Sequence, residues 1–220
     1  MPSFVFPCEY VYWRNLENHE KLKSKLLPQI EQITRDFLKD HNQFDSCRSK
    51  GSLFNRDREK TLEINKFLTT SEIVKDVVWD TIDMGLEHLE VEKGIETFRP
   101  KASMLSEAWF NIYEKDDFQE LHAHIAKPHS ENDKLYGSCF SLVYILSDNT
   151  KKGNSLSFKK RVLRSSFCSK VDYYEFKTAN VPEIKEGTVL LFPSCLNHYV
   201  RPITESGRIT IVYNVKSTWD

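Results

Sequence analysis

Three histidines and one arginine carry most of the chemistry that this 220-residue sequence offers. His122 and His124 stand two apart in the run QELHAH. On an extended backbone alternate side chains leave the same face, so both imidazoles can reach a single metal ion. His198, in LNHYVRP, is the histidine nearest the other polar-faced strand and is the natural third ligand. Ten residues further on, Arg208 opens the run RITIVYN. Alternation there gives Ile209, Ile211, Tyr213 and Val215 one face, and Arg208, Thr210, Val212 and Asn214 the other. A guanidinium turned into the interior of a small barrel is very costly without a partner, so Arg208 asks for an anion.

Holding these groups falls to elements whose periods change along the chain. Residues 1 to 13 alternate loosely between two prolines and are expected to form an extended lead-in strand. Between Asn15 and His41, Leu22, Leu26, Ile30, Ile33 and Phe37 recur at helical spacing, with Pro28 predicting a kink or the start of a second helix. Residues 41 to 60 are polar and expected to be mostly loop. Thr69 and Glu72 have capping-box spacing, and Ile73, Val77, Val78, Ile82, Leu86 and Leu89 continue at helical period, so a helix is expected there. After Pro100 the period falls to two, with strands predicted around 108–113, 138–146, 155–158, 173–176, 188–192 and 208–215. Helices followed by strands predict an α+β arrangement in which N-terminal helices cover the outer face of a β-barrel or sandwich.

Composition narrows the function classes. At 40% hydrophobic and 29% charged residues the chain is expected to fold as one domain spanning 1–220, with helical support over 1–100 and a β core over 101–220. A net charge of −1 argues against a nucleic-acid partner, and no apolar run approaches membrane-spanning length. Cys8, Cys47, Cys139, Cys168 and Cys195 are odd in number and scattered, which fits a reducing, cytoplasmic setting. Between Thr150 and Val171 lie seven lysines and arginines and no acid. That stretch is either a solvated strand edge and loop, the ordinary reading, or a basic flap for an anionic substrate.

The runs WFNIYEKDDFQELHAH, SLVYIL, GNSLSF, EGTVLLFPSCLNHYVRP and GRITIVYN together resemble the non-haem Fe(II), 2-oxoglutarate-dependent dioxygenases. The closest likeness is to a group of short oxygenases of bacteria and phages related to prolyl hydroxylases, over about residues 105 to 216. The resemblance implies a double-stranded β-helix, a jelly-roll or cupin-like barrel, backed by helices. It makes His122 and His198 iron ligands and puts His124 where most of the superfamily has a carboxylate. It makes Arg208 the residue that binds the distal carboxylate of 2-oxoglutarate, with Thr210 adding a hydroxyl. Tyr113 and Asn214 would face the same cosubstrate pocket. Glu120 and Asp133 are alternative sources of a carboxylate ligand, with His124 preferred.

Ordinary readings stand beside these. His19, His41, His88 and His129 are expected to be surface or hydrogen-bonded core residues, and Trp109 and Tyr144 core aromatics. Arg208 could pair with Glu205 across a hairpin, and Cys195 is expected to be a buried structural cysteine. The leading expectation is hydroxylation of a peptidyl or small amino-acid-like substrate, with release of succinate and CO2. The alternatives are a three-histidine dioxygenase that does not use 2-oxoglutarate, and a non-catalytic metal-binding barrel.

Overall fold

The computed structural model describes residues 3–6, 9–37, 42–44, 47–51, 63, 65–94, 102–125, 128–131, 134–149, 156–162 and 172–218. Strands β1 (Ser3–Phe6) and β2 (Glu9–Asn15) are followed by helix α1 (His19–Phe37) and by the short strands β3 (Asn42–Phe44) and β4 (Cys47–Gly51). A helical segment then begins at Ser71, passes through a π turn (Val74–Trp79) and continues as α2 (Asp80–Val91). The β core comprises β5 (Ala102–Tyr113), β6 (Phe118–His122), β7 (His129–Glu131), β8 (Lys134–Ser147), β9 (Leu156–Val162), β10 (Asp172–Lys177), β11 (Thr188–Pro193), β12 (His198–Val200) and β13 (Arg208–Thr218).

Pairing is antiparallel throughout and runs β1-β2-β11-β8-β13-β5, then through β4 to β6-β12-β9-β10. The chain of strands folds over at β4, giving a larger and a smaller sheet of a double-stranded β-helix. Alternation on β13 is realised as expected. Ile209, Ile211, Tyr213 and Val215 join a core cluster with Leu22, Leu26 and Ile30 of α1 and Ile82 and Leu86 of α2, while Val212 joins a second cluster between the sheets. That inner cluster packs Trp109, Val143 and Phe192 of the larger sheet against Leu156, Phe158 and Val200 of the smaller. Helices therefore bury the outer face of the larger sheet and leave its inner face for the site.

Three local expectations are corrected. Of the two readings of Pro28, the second helix is overturned: α1 runs through the proline as one helix, with Pro28 on the exposed side, where water can satisfy the backbone carbonyl that loses its donor. The capping box does not form. Thr69 Oγ1 donates to the Lys66 carbonyl within a 3-10 turn, and Glu72 instead pairs with Lys21 and Lys25 of α1 at 2.7 and 2.6 Å. In the stretch 41–60, expected to be mostly loop, the described residues form β3 and β4, whose pairing is main-chain and needs no apolar alternation, and 52–60 lie outside the described residues.

α2 sits close to the larger sheet because Gly85 has no side chain. A Cβ there would lie 2.7 Å from Leu191 Cδ2 and 2.9 Å from Tyr12 Cδ1, both in the core. Gly85→Ala is expected to lower stability by about 1–2 kcal/mol despite its better helix propensity, since overpacking costs more than the propensity returns. Urea denaturation of the two proteins measures it.

Candidate functional site

Each expected ligand is positioned by a strand end. β6 and β12 are neighbours in the smaller sheet, and their register sets His198 directly opposite His122. His124 lies two residues beyond β6, where its backbone N–H donates to the Ser194 carbonyl at 2.9 Å and its ring meets the larger sheet edge-on at Trp109, 5.4 Å between centroids. The three rings converge, with centroids 4.3 Å apart for His122–His198, 4.7 Å for His124–His198 and 5.2 Å for His122–His124.

The nitrogens reveal what the cluster is built for. Nδ1 of His122 faces the Glu120 carbonyl at 2.7 Å, Nδ1 of His198 the Leu196 carbonyl at 2.9 Å, and Nδ1 of His124 the Asn214 Oδ1 at 3.0 Å. An amide oxygen only accepts, so each Nδ1 carries hydrogen and each neutral ring presents an Nε2 lone pair. Nε2 of His122 and Nε2 of His124 are only 3.3 Å apart, and all three rings place a ligand nitrogen within 4.8 Å of the others. Lone pairs at that separation repel unless a cation lies between them. Protons are a poor solution, because burial lowers the pKa of all three. His124 falls to about 4, by burial and then by its neighbour His122; His198 falls well below the ordinary range, by burial and then by both other histidines. A borderline divalent ion with nitrogen preference fits the donor set.

No carboxylate joins the triad among the described residues. Glu120 contributes only its backbone carbonyl and is exposed, and Asp133 lies outside the described residues.

Toward the other end of the pocket, cross-strand register stacks the inner-face residues of β13 and β5 in pairs: Arg208 with Tyr113, Thr210 with Asn111, Val212 with Trp109, and Asn214 with Glu107. Arg208, Thr210 and Tyr113 line the cavity that the three histidines close. Arg208 is 2% exposed and donates to Asp148 Oδ2 at 3.3 Å. Tyr113 Oη donates to Gln119 Oε1 at 2.8 Å. Asn214 is placed differently from expectation: it is not among the cavity-lining residues and sits behind His124.

Residues 107–214 match the family model described as "Putative 2OG-Fe(II) oxygenase". This places the chain among the 2OG-Fe(II) oxygenases. An enzyme of this family is a non-haem iron oxygenase whose cofactors are Fe(II) and 2-oxoglutarate. Solved structures agree on the fold. HygX from Streptomyces hygroscopicus, with nickel and 2-oxoglutarate bound, is 13% identical, with 95% of this chain and 83% of HygX covered and a TM-score of 0.51. The non-haem α-ketoglutarate-dependent carbocyclase SnoK from nogalamycin biosynthesis is 9% identical, covering 94% of this chain and 79% of SnoK, at a TM-score of 0.52. Comparison with curated proteins finds no matching sequence.

Other expectations settle as ordinary structure. His19 and His88 are buried, His19 bonded to Tyr144 and Glu186, and His88 beside Glu92. His129 lies on β7, its side chain not among those described, and His41 is outside the described residues. Most of the basic stretch, 150–155 and 163–171, is also outside them. Cys195, expected to be buried, is exposed. No helix among the described residues is long and apolar enough to cross a membrane.

Three site residues of the oxygenase were missed in the sequence. Asn111 is 1% exposed, lines the cavity and has no hydrogen-bond partner for its Oδ1 among the described residues; alternation from Trp109 to Tyr113 signals it. Ser141 is likewise on the inner face by alternation with Val143 and Ile145. Asp148, beyond the end of β8, had no signal.

In the metal-free oxygenase the imidazoles are neutral when folded, yet titrate near 6.5 when unfolded. The unfolded state therefore binds more protons below that value. Stability is intact above about pH 6.5 and falls with pH toward about 4, His124 alone accounting for an amount of order 3 kcal/mol. Denaturant midpoints of the metal-free protein across this range should fall with acid, and His124→Gln should flatten the fall.

Proposed function

We propose that His122, His124 and His198 hold Fe(II) through their Nε2 atoms, and that the enzyme hydroxylates a peptidyl or small amino-acid-like substrate with release of succinate and CO2. The observation that carries this reading is the convergence of three outward-held imidazoles at one end of a pocket and a buried arginine at the other. Iron and 2-oxoglutarate, when bound, supply the oxidising chemistry: decarboxylation of the 2-oxo acid and activation of oxygen. The protein supplies binding, orientation and a dry wall.

Arg208 takes the distal carboxylate. Its planar fork stays charged and binds a carboxylate through two hydrogen bonds, and its burial keeps water from competing. Thr210, on the same face and 4% exposed, offers a hydroxyl beside it, and Asn111 across the strand adds an amide. Trp109, Val143, Leu156 and Val212 form apolar walls that exclude water from the reacting end. Hydrogen bonds from the three Nδ1–H groups hold the rings without movement when the metal binds, which is the preorganisation such catalysis needs. A cytoplasmic setting, read from the scattered cysteines, belongs to this proposal.

The three-imidazole set favours a second reading, a dioxygenase whose substrate binds iron directly and which needs no 2-oxoglutarate. Anaerobic addition of Fe(II) and 2-oxoglutarate to the metal-free protein separates the two. The first reading expects a weak visible charge-transfer band in the native protein and none in His198→Ala. Arg208→Ala is expected to keep metal binding and raise the 2-oxoglutarate requirement about a hundredfold, the cost of removing one partner of a buried charge pair. A native protein that binds iron without the band, and turns over equally well with Arg208→Ala, belongs to the second reading.

A further inference from the structure

Of the three histidines, two are oriented by their own chain segment: the acceptor for His122 is the carbonyl two residues before it, and the same holds for His198. His124 has no such local acceptor. Its Nδ1 faces a cluster of side chains from the larger sheet, with Asn214 Oδ1 at 3.0 Å and Ser141 Oγ at 3.1 Å.

That cluster has one self-consistent proton arrangement. Asn214 Nδ2 donates to Glu107 Oε2 at 3.4 Å, which turns Oδ1 toward His124. Ser141 donates its O–H to the same Oδ1 at 2.8 Å, leaving its oxygen to accept from Ser194 Oγ at 2.9 Å. Asn214 Oδ1 is thus a double acceptor, and Nδ1 of His124 must donate to it. Ser141 and Ser194 are 0% and 1% exposed, so water does not compete for the hydroxyl contacts, while the Asn214–Glu107 contact is at the exposed edge of the cluster.

We propose that Asn214 is the positioning residue of the site, fixing His124 with hydrogen on Nδ1 and its Nε2 lone pair aimed at the triad centre, with Glu107 setting the sense of the Asn214 amide. The proposal rests on the metal-binding reading of the triad. It explains how a histidine serves at a position where a carboxylate would need no tautomer: the larger sheet supplies the acceptor that chooses one. Were the amide reversed, its NH2 would face Nδ1, hydrogen would move to Nε2, and the third lone pair would be lost.

Two measurements test it. In the metal-free protein, long-range 1H–15N correlation of histidine side chains reads the tautomer directly. His124 is expected with hydrogen on Nδ1 in the native protein and as a mixture in Asn214→Leu, which keeps size and removes the acceptor. Co(II) titration is expected to show affinity lowered about 10- to 100-fold in Asn214→Leu, the usual cost of losing the partner behind a metal-bound histidine. The double variant Asn214→Asp with Glu107→Gln reverses the donor and acceptor of that outer contact and keeps an oxygen on His124. It should restore both the tautomer and the affinity, and it decides the matter if the leucine variant does not fold. Native His124 with hydrogen on Nε2, or unchanged tautomer and Co(II) affinity in Asn214→Leu, would overturn the proposal. The expected tautomer in a native protein that binds no Co(II) would overturn the metal role itself, and with it the functional reading beneath.

Discussion

Two imidazole lone pairs held 3.3 Å apart are the constraint on which the rest of the site depends. Left alone, the rings would rotate or take up a proton. Neither happens because every Nδ1 is engaged from behind by an oxygen that accepts, and because burial disfavours the charged form. The fold thus stores an electrostatic mismatch that a cation, bound as proposed, would relieve. Such an arrangement is expensive to maintain and is kept only where surrounding structure over-determines it.

That structure is the pairing of two sheets. His122 and His198 are fixed within the smaller sheet by direct register, whereas His124 is fixed by side chains of the larger one. The triad therefore closes only when the sheets are packed at the right separation, which the inner cluster of Trp109, Phe158, Phe192 and Val200 sets. The Arg208 end of the pocket is tied to a different layer. Arg208 is held by Asp148, whose backbone N–H donates to Glu186 Oε2 at 2.9 Å, and Glu186 in turn contacts His19 and Lys23 of α1. Helix α1 thus covers the larger sheet and also secures the loop behind the buried arginine.

What was legible in the sequence follows from which contacts are local. Alternation on β13 and helical spacing on α1 and α2 report one buried face each, so the layers could be read, and the two-residue spacing of His122 and His124 pointed both rings to one place, although His124 lies just past the end of β6. β3 and β4 left no trace because their pairing is made by backbone, which every residue carries alike. Thr69 and Glu72 had the right spacing for a cap, but α1 offered Glu72 two lysines, and those contacts prevailed. Asn214 was legible as an inner-face residue, but its partner was not. Whether it meets ligand or His124 depends on the lateral position of another strand's end, a distance that no periodicity encodes. Asp148 was hidden for the same reason.

Charge gives a reason for the combination of groups. In the proposed loaded site, three neutral imidazoles bring no negative charge to a divalent ion, and Arg208 is a positive charge at the far end of the pocket, with Asp148 beside it. The pocket is closed to water on its apolar sides, so net charge there is costly. A dicarboxylate brings two negative charges, one carboxylate to each positive pole, and so offsets both at once. On this argument His124 leaves more of the metal's charge for the cosubstrate to neutralise than a carboxylate at that position would.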